Sequence, residues 1–238
     1  MQMGRGSFRL PPFKNASTVL AVLLIVTSVL WKVLFDNGVV LYLMPGLVWS
    51  GAVWQLVTWL PAEAPQTGSV LFSALILWNT GGNLEAIWGR TRFLRFMLGT
   101  TLLSGVLTTL LGLVLPLQAT PFFGGGVLSA IAWVGFGCAM WRAQLNIFGF
   151  PVTGKTFALL GVFIASLNAV FTSPYLLIAE GWALLFTFAY ARWGFPGTLL
   201  ERFGSWRLQR TLDKRASHLK SIDGGKRNVG GDSDKYLH

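Results

Sequence analysis

Six long apolar runs, separated by short segments that carry most of the charge, dominate this 238-residue chain. They lie at about 17–35, 69–88, 93–115, 125–141, 156–171 and 175–193. A helix that crosses a bilayer needs about 20 mostly apolar residues, and each run is near that length. Only 12% of the residues are charged against 53% hydrophobic, whereas a soluble domain carries about 25% charged residues. So few charges cannot cover a water-facing surface, and lipid must be the solvent for much of the chain. The expected fold class is all-α: a polytopic membrane protein with six transmembrane helices.

The basic residues set the expected orientation. Arg5, Arg9 and Lys14 precede the first run, and Arg90, Arg92 and Arg95 lie between the second and third. Arg142 and Lys155 separate the fourth from the fifth, and Arg192 with nine further Lys and Arg closes the chain. With six spans, all of these fall on one side. The loops of the other side hold Asp36 and Glu63 and no basic residue, and Lys32 can snorkel from the first helix. Basic residues collect on the cytoplasmic side, which places both termini there. The net charge of +10 therefore reads as topology signal and attraction to anionic lipid, not as a nucleic-acid face. The first run follows a basic segment, is too long for a signal-peptide core and ends in no small-residue cleavage site, so it is expected to be a retained helix. The organisation expected is a cytoplasmic N-terminus at 1–16, a membrane domain at 17–194 and a basic tail at 195–238. The start of that tail is expected as an amphipathic helix through Trp206 and Leu208, and its end as disordered.

Between the first two runs, the segment 38–68 is apolar and contains Trp49, Trp54 and Trp59, yet Pro45, Gly46, Gly51, Pro61 and Pro65 interrupt it. It is poorly built to span. Tryptophan favours the headgroup level, so an interfacial loop is expected.

Polar residues inside the runs are the candidate functional groups, because they are costly in lipid. Glu85 lies one turn from the end of the second run, where Arg90, Arg92 or a backbone donor could meet it; an ion pair fixing the loop is the expected role. Gly124, Gly125 and Gly126 allow close backbone approach. Ser129 lies one turn into the fourth run, where a serine ordinarily bonds a backbone carbonyl or a neighbouring helix. Glu180, near the start of the sixth, is the most expensive group and is expected at a cavity or at the outer edge. The single cysteine, Cys138, forms no intrachain disulfide and reads as a small buried hydrophobe. No zinc motif or phosphate-binding loop is present, and no metal or cofactor is implied.

Several stretches resemble the rhomboid family of intramembrane serine proteases: VWQLVTWL, LFSALILWNTGGNLEAIWGRTRFLRFMLGTTLLSG and FGGGVLSAIAWVGFG. The strongest is GGNLEAIWG, similar to the family's GxxLExxWG signature, and FPVTGKTFALLG resembles bacterial members. The resemblance covers about 11–194 and implies a six-helix rhomboid-like bundle with an interfacial loop between helices 1 and 2. It also implies a site in which the family's nucleophilic serine, at the start of the fourth helix, is replaced by Gly125. The family's histidine in the sixth helix is replaced by Ile178, or with a slip by Glu180. Ser69 and Ser73 take the positions of the second helix's oxyanion-stabilising His and Asn.

The only histidines, His218 and His238, are in the tail. A serine–histidine dyad needs its base within hydrogen-bond reach of the hydroxyl, so the family's ordinary chemistry lacks its base. The expected function is that of a catalytically inactive pseudoprotease in a bacterial cytoplasmic membrane. Its expected partners are transmembrane helices of client membrane proteins, with no nucleic acid. The alternatives are an active protease using Ser129 as nucleophile and Glu180 as base, and a small transporter or scaffold subunit. The transporter reading lacks internal repeats.

Overall fold

Gly89 separates the two longest helices. Its φ of 79° lies in the left-handed region that glycine enters without a Cβ penalty, so the chain reverses there without a loop. The computed structural model describes residues 15–35, 41–63, 67–147 and 150–193. The expectations for the N-terminal arm, the tail and both histidines lie outside those residues. The described residues form six long helices: α1 (Ala16–Phe35), α4 (Thr67–Trp88), α5 (Arg90–Leu111), α6 (Gly124–Ala139), α7 (Gly154–Thr172) and α8 (Leu176–Trp193). Between α1 and α4 lie two short helices, α2 (Pro45–Trp49) and α3 (Gln55–Thr58). A two-stranded antiparallel hairpin, β1 (Gln144–Ile147) and β2 (Phe150–Thr153), joins α6 to α7, with Gln144 opposite Thr153. The sequence reading did not anticipate this hairpin. Thr153 then caps α7, its hydroxyl oxygen accepting from the Thr156 amide at 3.2 Å, in the usual way of an N-cap threonine.

Among the described residues, three helices are long and apolar enough to cross a membrane by length and composition: Ala16–Val33, Arg90–Leu111 and Gly154–Thr172. α6 is apolar but has only 16 residues. Asn79, Asn83 and Glu85 dilute the apolar character of α4, as Glu180 and Arg192 do for α8.

The distribution of polarity is that of a protein dissolved in lipid. α5 buries Thr100, Thr101, Ser104, Gly105, Thr108 and Thr109 and turns Leu98, Leu103, Val106 and Leu110 outward. Elsewhere Val33 is 73% exposed and Phe171 85%. In water this arrangement would be inverted. In a bilayer, small and hydroxyl-bearing residues pack between helices while leucine and valine face the acyl chains. Three of these hydroxyls are satisfied within the helix: Thr100 donates to the Phe96 carbonyl at 2.6 Å, Thr101 to Met97 at 2.7 Å and Thr109 to Gly105 at 2.8 Å, while Thr108 Oγ1 has no hydrogen-bond partner. Ser104 reaches across to the Ala179 carbonyl of α8 at 2.5 Å. The chain is a helical membrane protein.

α6, the shortest of the six, packs against α4, α5, α7 and α8, and most of its residues are buried. Its glycines permit this. Gly135 lies against Phe96 and Leu84, and Gly137 against Ala158 of α7. Cys138 is half-buried.

Glu85 does not make the ion pair expected of it. Its two oxygens accept from the backbone amides of Ala16 and Ser17, at 3.0 and 2.9 Å. These are amides of the first turn of α1, which have no partner within their own helix. Arg92 instead donates to the Tyr190 hydroxyl at 3.0 Å and lies over the Trp88 ring. The carboxylate thus ties α4 to the start of α1, a distant pairing that local spacing does not reveal.

Candidate functional site

The end of the segment that holds α2 and α3 docks on the start of α6. The Gly124 amide donates to the Trp59 carbonyl at 3.0 Å, and the Gly125 amide to the Ala62 carbonyl at 2.9 Å. A Cβ on Gly124 would collide with the backbone of Trp59 and Leu60. Glycine is required here by close approach, as the triple-glycine motif suggested. Trp59, fully buried against Gly105 of α5, fixes the segment from its other side.

That docking places Glu63 at the centre. Its residue is buried, its amide donates to Ser28 Oγ at 3.2 Å, and its Oε2 accepts from Ser73 Oγ at 3.0 Å. A Cβ on Gly125 would stand 2.7 Å from that same Oε2. Ser129 Oγ donates to the Gly126 carbonyl at 2.8 Å and lies 3.5 Å from Ser73 Oγ. Ser28, Glu63, Ser73, Gly125 and Ser129 therefore form one buried polar group at the junction of α1, the segment that follows α3, α4 and α6.

A second feature adjoins it. Glu63, Ser69, Asn168, Thr172 and Glu180, with Phe123, Gly126, Val127, Leu176 and Ala179, line a small cavity with about 20 Å³ of space for water. Both carboxylates are buried, and Glu180 Oε2 has no hydrogen-bond partner. Ser69 is half-buried at the cavity wall. Ile178 is half-buried against the apolar core and does not line the cavity. Ser129 does not line it either.

Of the sequence-selected residues, Ser73, Gly125 and Ser129 thus meet around Glu63, while Ser69 and Glu180 share a cavity with it. Glu63 joins the two sets, yet sequence reasoning used it only as an outer-loop charge. The signal available was an acidic residue closing the otherwise apolar, tryptophan-rich run VWQLVTWLPAE. Among the described residues, no three His, Cys, Asp or Glu side chains come together to hold a metal ion.

Chemically, the polar groups of the arrangement are engaged with one another. The first amides of α6, which would otherwise be donors for a developing oxyanion, are occupied by loop carbonyls. Ser129 spends its single hydroxyl proton on a carbonyl of its own helix, a common habit of serine in helices. The chain matches no protein-family model and shows no significant sequence similarity to the curated proteins compared with it.

Proposed function

We propose that this chain is a rhomboid-like membrane pseudoprotease that binds transmembrane segments of client membrane proteins without cleaving them. On this reading all six long helices cross a bacterial cytoplasmic membrane and both termini are cytoplasmic. Support for the architecture comes from the short, buried α6, packed against four other long helices, and from the Trp-rich segment between α1 and α4.

The observation that carries the functional reading is the Glu63 carboxylate pressed against Gly125. The position that resembles the family's nucleophile lacks a hydroxyl, and the space a side chain would need is filled. Losing nucleophile, base and oxyanion donors together removes orders of magnitude in rate. What remains is a scaffold with a polar cavity that a client helix could reach.

The alternative, an atypical protease built on Ser129 and Glu180, requires the hydroxyl and the carboxylate to share a site. Ser129 is directed at Gly126 and stands outside the cavity that Glu180 lines, so this reading is disfavoured.

Photocrosslinking tests the proposal. A photoreactive residue placed at Asn168 or Thr172, both exposed at the cavity rim, should capture intact membrane proteins in cells. A folded, membrane-inserted chain that captures none, or captures only cleaved fragments, would overturn it.

A further inference from the structure

We propose that the pocket at the ends of α6 and α8 binds one anionic phospholipid, with Arg142 and Arg192 holding its phosphate and Phe188 and Leu185 carrying an acyl chain. The proposal rests on the membrane architecture proposed above and not on the pseudoprotease reading.

α6 and α8 end side by side. The ring of Trp141, two residues beyond α6, lies 6.3 Å from that of Phe188 on α8, centroid to centroid. Arg142 follows Trp141 in the chain, and Arg192 comes four residues after Phe188, on the same face of the helix. The ring contact therefore brings the two arginines to one pocket of about 720 Å³, whose wall they share with Trp141, Phe188, Met140 and Cys138. Clefts of this size hold small molecules.

The two positive charges are open. Both arginines are exposed, and among the described residues no Asp or Glu lines the pocket and neither guanidinium has a hydrogen-bond or ion-pair partner. Basic side chains near a helix C-terminus often bond its last carbonyls. Here backbone amides supply those bonds instead: Ala143 donates to the Met140 carbonyl at 2.9 Å, and Lys155 to that of Trp141 at 3.2 Å. A guanidinium is a planar fork suited to phosphate oxygens. A zwitterionic headgroup would bring its ammonium to two like charges with no carboxylate to receive it, so the pocket selects an anionic one.

The apolar surroundings favour a lipid over a soluble phosphate. Phe188 is 50% exposed, and Leu185, three residues before it on the outward side of α8, is 57% exposed. Together they extend the pocket as an apolar track towards the acyl chains. Trp141 beside the arginines suits the headgroup level, and basic pockets between transmembrane helices bind anionic headgroups. A phospholipid uses both the charges and the track; a free phosphate uses only the charges.

Native mass spectrometry of the detergent-purified full-length chain, titrated with phosphatidylglycerol or phosphatidylcholine, tests the site. One phosphatidylglycerol per chain should be retained in preference to phosphatidylcholine. Each arginine near an anionic surface is worth about fivefold, so Arg142→Gln combined with Arg192→Gln should weaken retention about thirtyfold. Arg90→Gln combined with Arg95→Gln removes the same charge at exposed positions outside the pocket and should leave it unchanged. No preference for phosphatidylglycerol, or equal loss from the two pairs, would overturn the site; displacement by inorganic phosphate would overturn the assignment to a lipid. Should the pocket variant fail to fold, alkylation of Cys138, the single cysteine, decides in the unaltered chain. Phosphatidylglycerol should slow it and phosphatidylcholine should not, and no slowing would refute the proposal. The architecture is checked separately: in a Cys138→Ala chain, Ser50→Cys and Gln144→Cys should be labelled from opposite sides of the membrane, and labelling from one side would overturn that reading whatever the lipid does.

Discussion

Oε2 of Glu63 lies 2.7 Å from the point where a Cβ on Gly125 would stand, and the Glu63 Cβ lies 3.0 Å from it. Neither residue is free to withdraw. Gly125 is held by its amide to the Ala62 carbonyl, and Glu63 by Ser28 and Ser73. Carboxylate and glycine are therefore a matched pair, each occupying the room the other leaves.

Restoring a serine at that position should consequently do harm. Gly125→Ser is expected to lower stability by about 1–3 kcal/mol, the usual cost of overpacking a filled site, read by denaturant unfolding in detergent. Combining it with Glu63→Ala should recover part of the loss, giving an interaction energy of about 0.5 kcal/mol or more between residues in contact. Strict additivity would mean that the two side chains do not compete for space.

Glu85 provides a test of the helix-cap role against the ion-pair role. Glu85→Ala removes a buried acceptor from two amides of α1 and should cost about 1.5–3 kcal/mol, as for hydrogen bonds to a charged group. Arg90→Ala, at an exposed position, should change stability by no more than about 0.5 kcal/mol. Equal losses from the two substitutions would restore the ion pair.

Tyr42 supplies a pH signature. Its ring is buried between Trp31 and Phe123, with centroids 3.8 and 4.4 Å away. Burial raises its pKa well above the usual phenol value. Because the folded-state pKa exceeds the unfolded one, the neutral phenol's contribution is fully present below about pH 10, the unfolded value, and is lost as pH rises through the folded value. The unfolding midpoint of the unaltered chain should therefore fall more steeply above about pH 10 than that of Tyr42→Phe. Parallel pH profiles would exclude this origin.

Hydropathy placed the long helices well because helix length in lipid is set by apolar run length. α1 begins one residue from the expected 17, and α8 one residue from 175. The third run was drawn too late: α5 starts at Arg90 and ends at Leu111, since Gly89 needs no loop and the backbone turns at Gly112–Leu113. The candidate site was legible only in part. Gly125, Ser73 and Ser129 stand at fixed positions on helices, and a resemblance could pick them out. Glu63 could not be found so, because its place depends on how a loop interrupted by prolines and glycines folds back onto α6. Glu85 failed for a related reason. Its partners are 68 and 69 residues away in sequence, beyond any local pattern.

The claim that this chain binds without cleaving is tested most directly by a fluorophosphonate probe, which reacts with activated serines. The detergent-purified chain, its Ser129→Ala variant and an active rhomboid protease would be treated side by side. The expected result is labelling of the active protease alone. Labelling of the unaltered chain that disappears in Ser129→Ala would show a working nucleophile at a shifted position and would contradict the account.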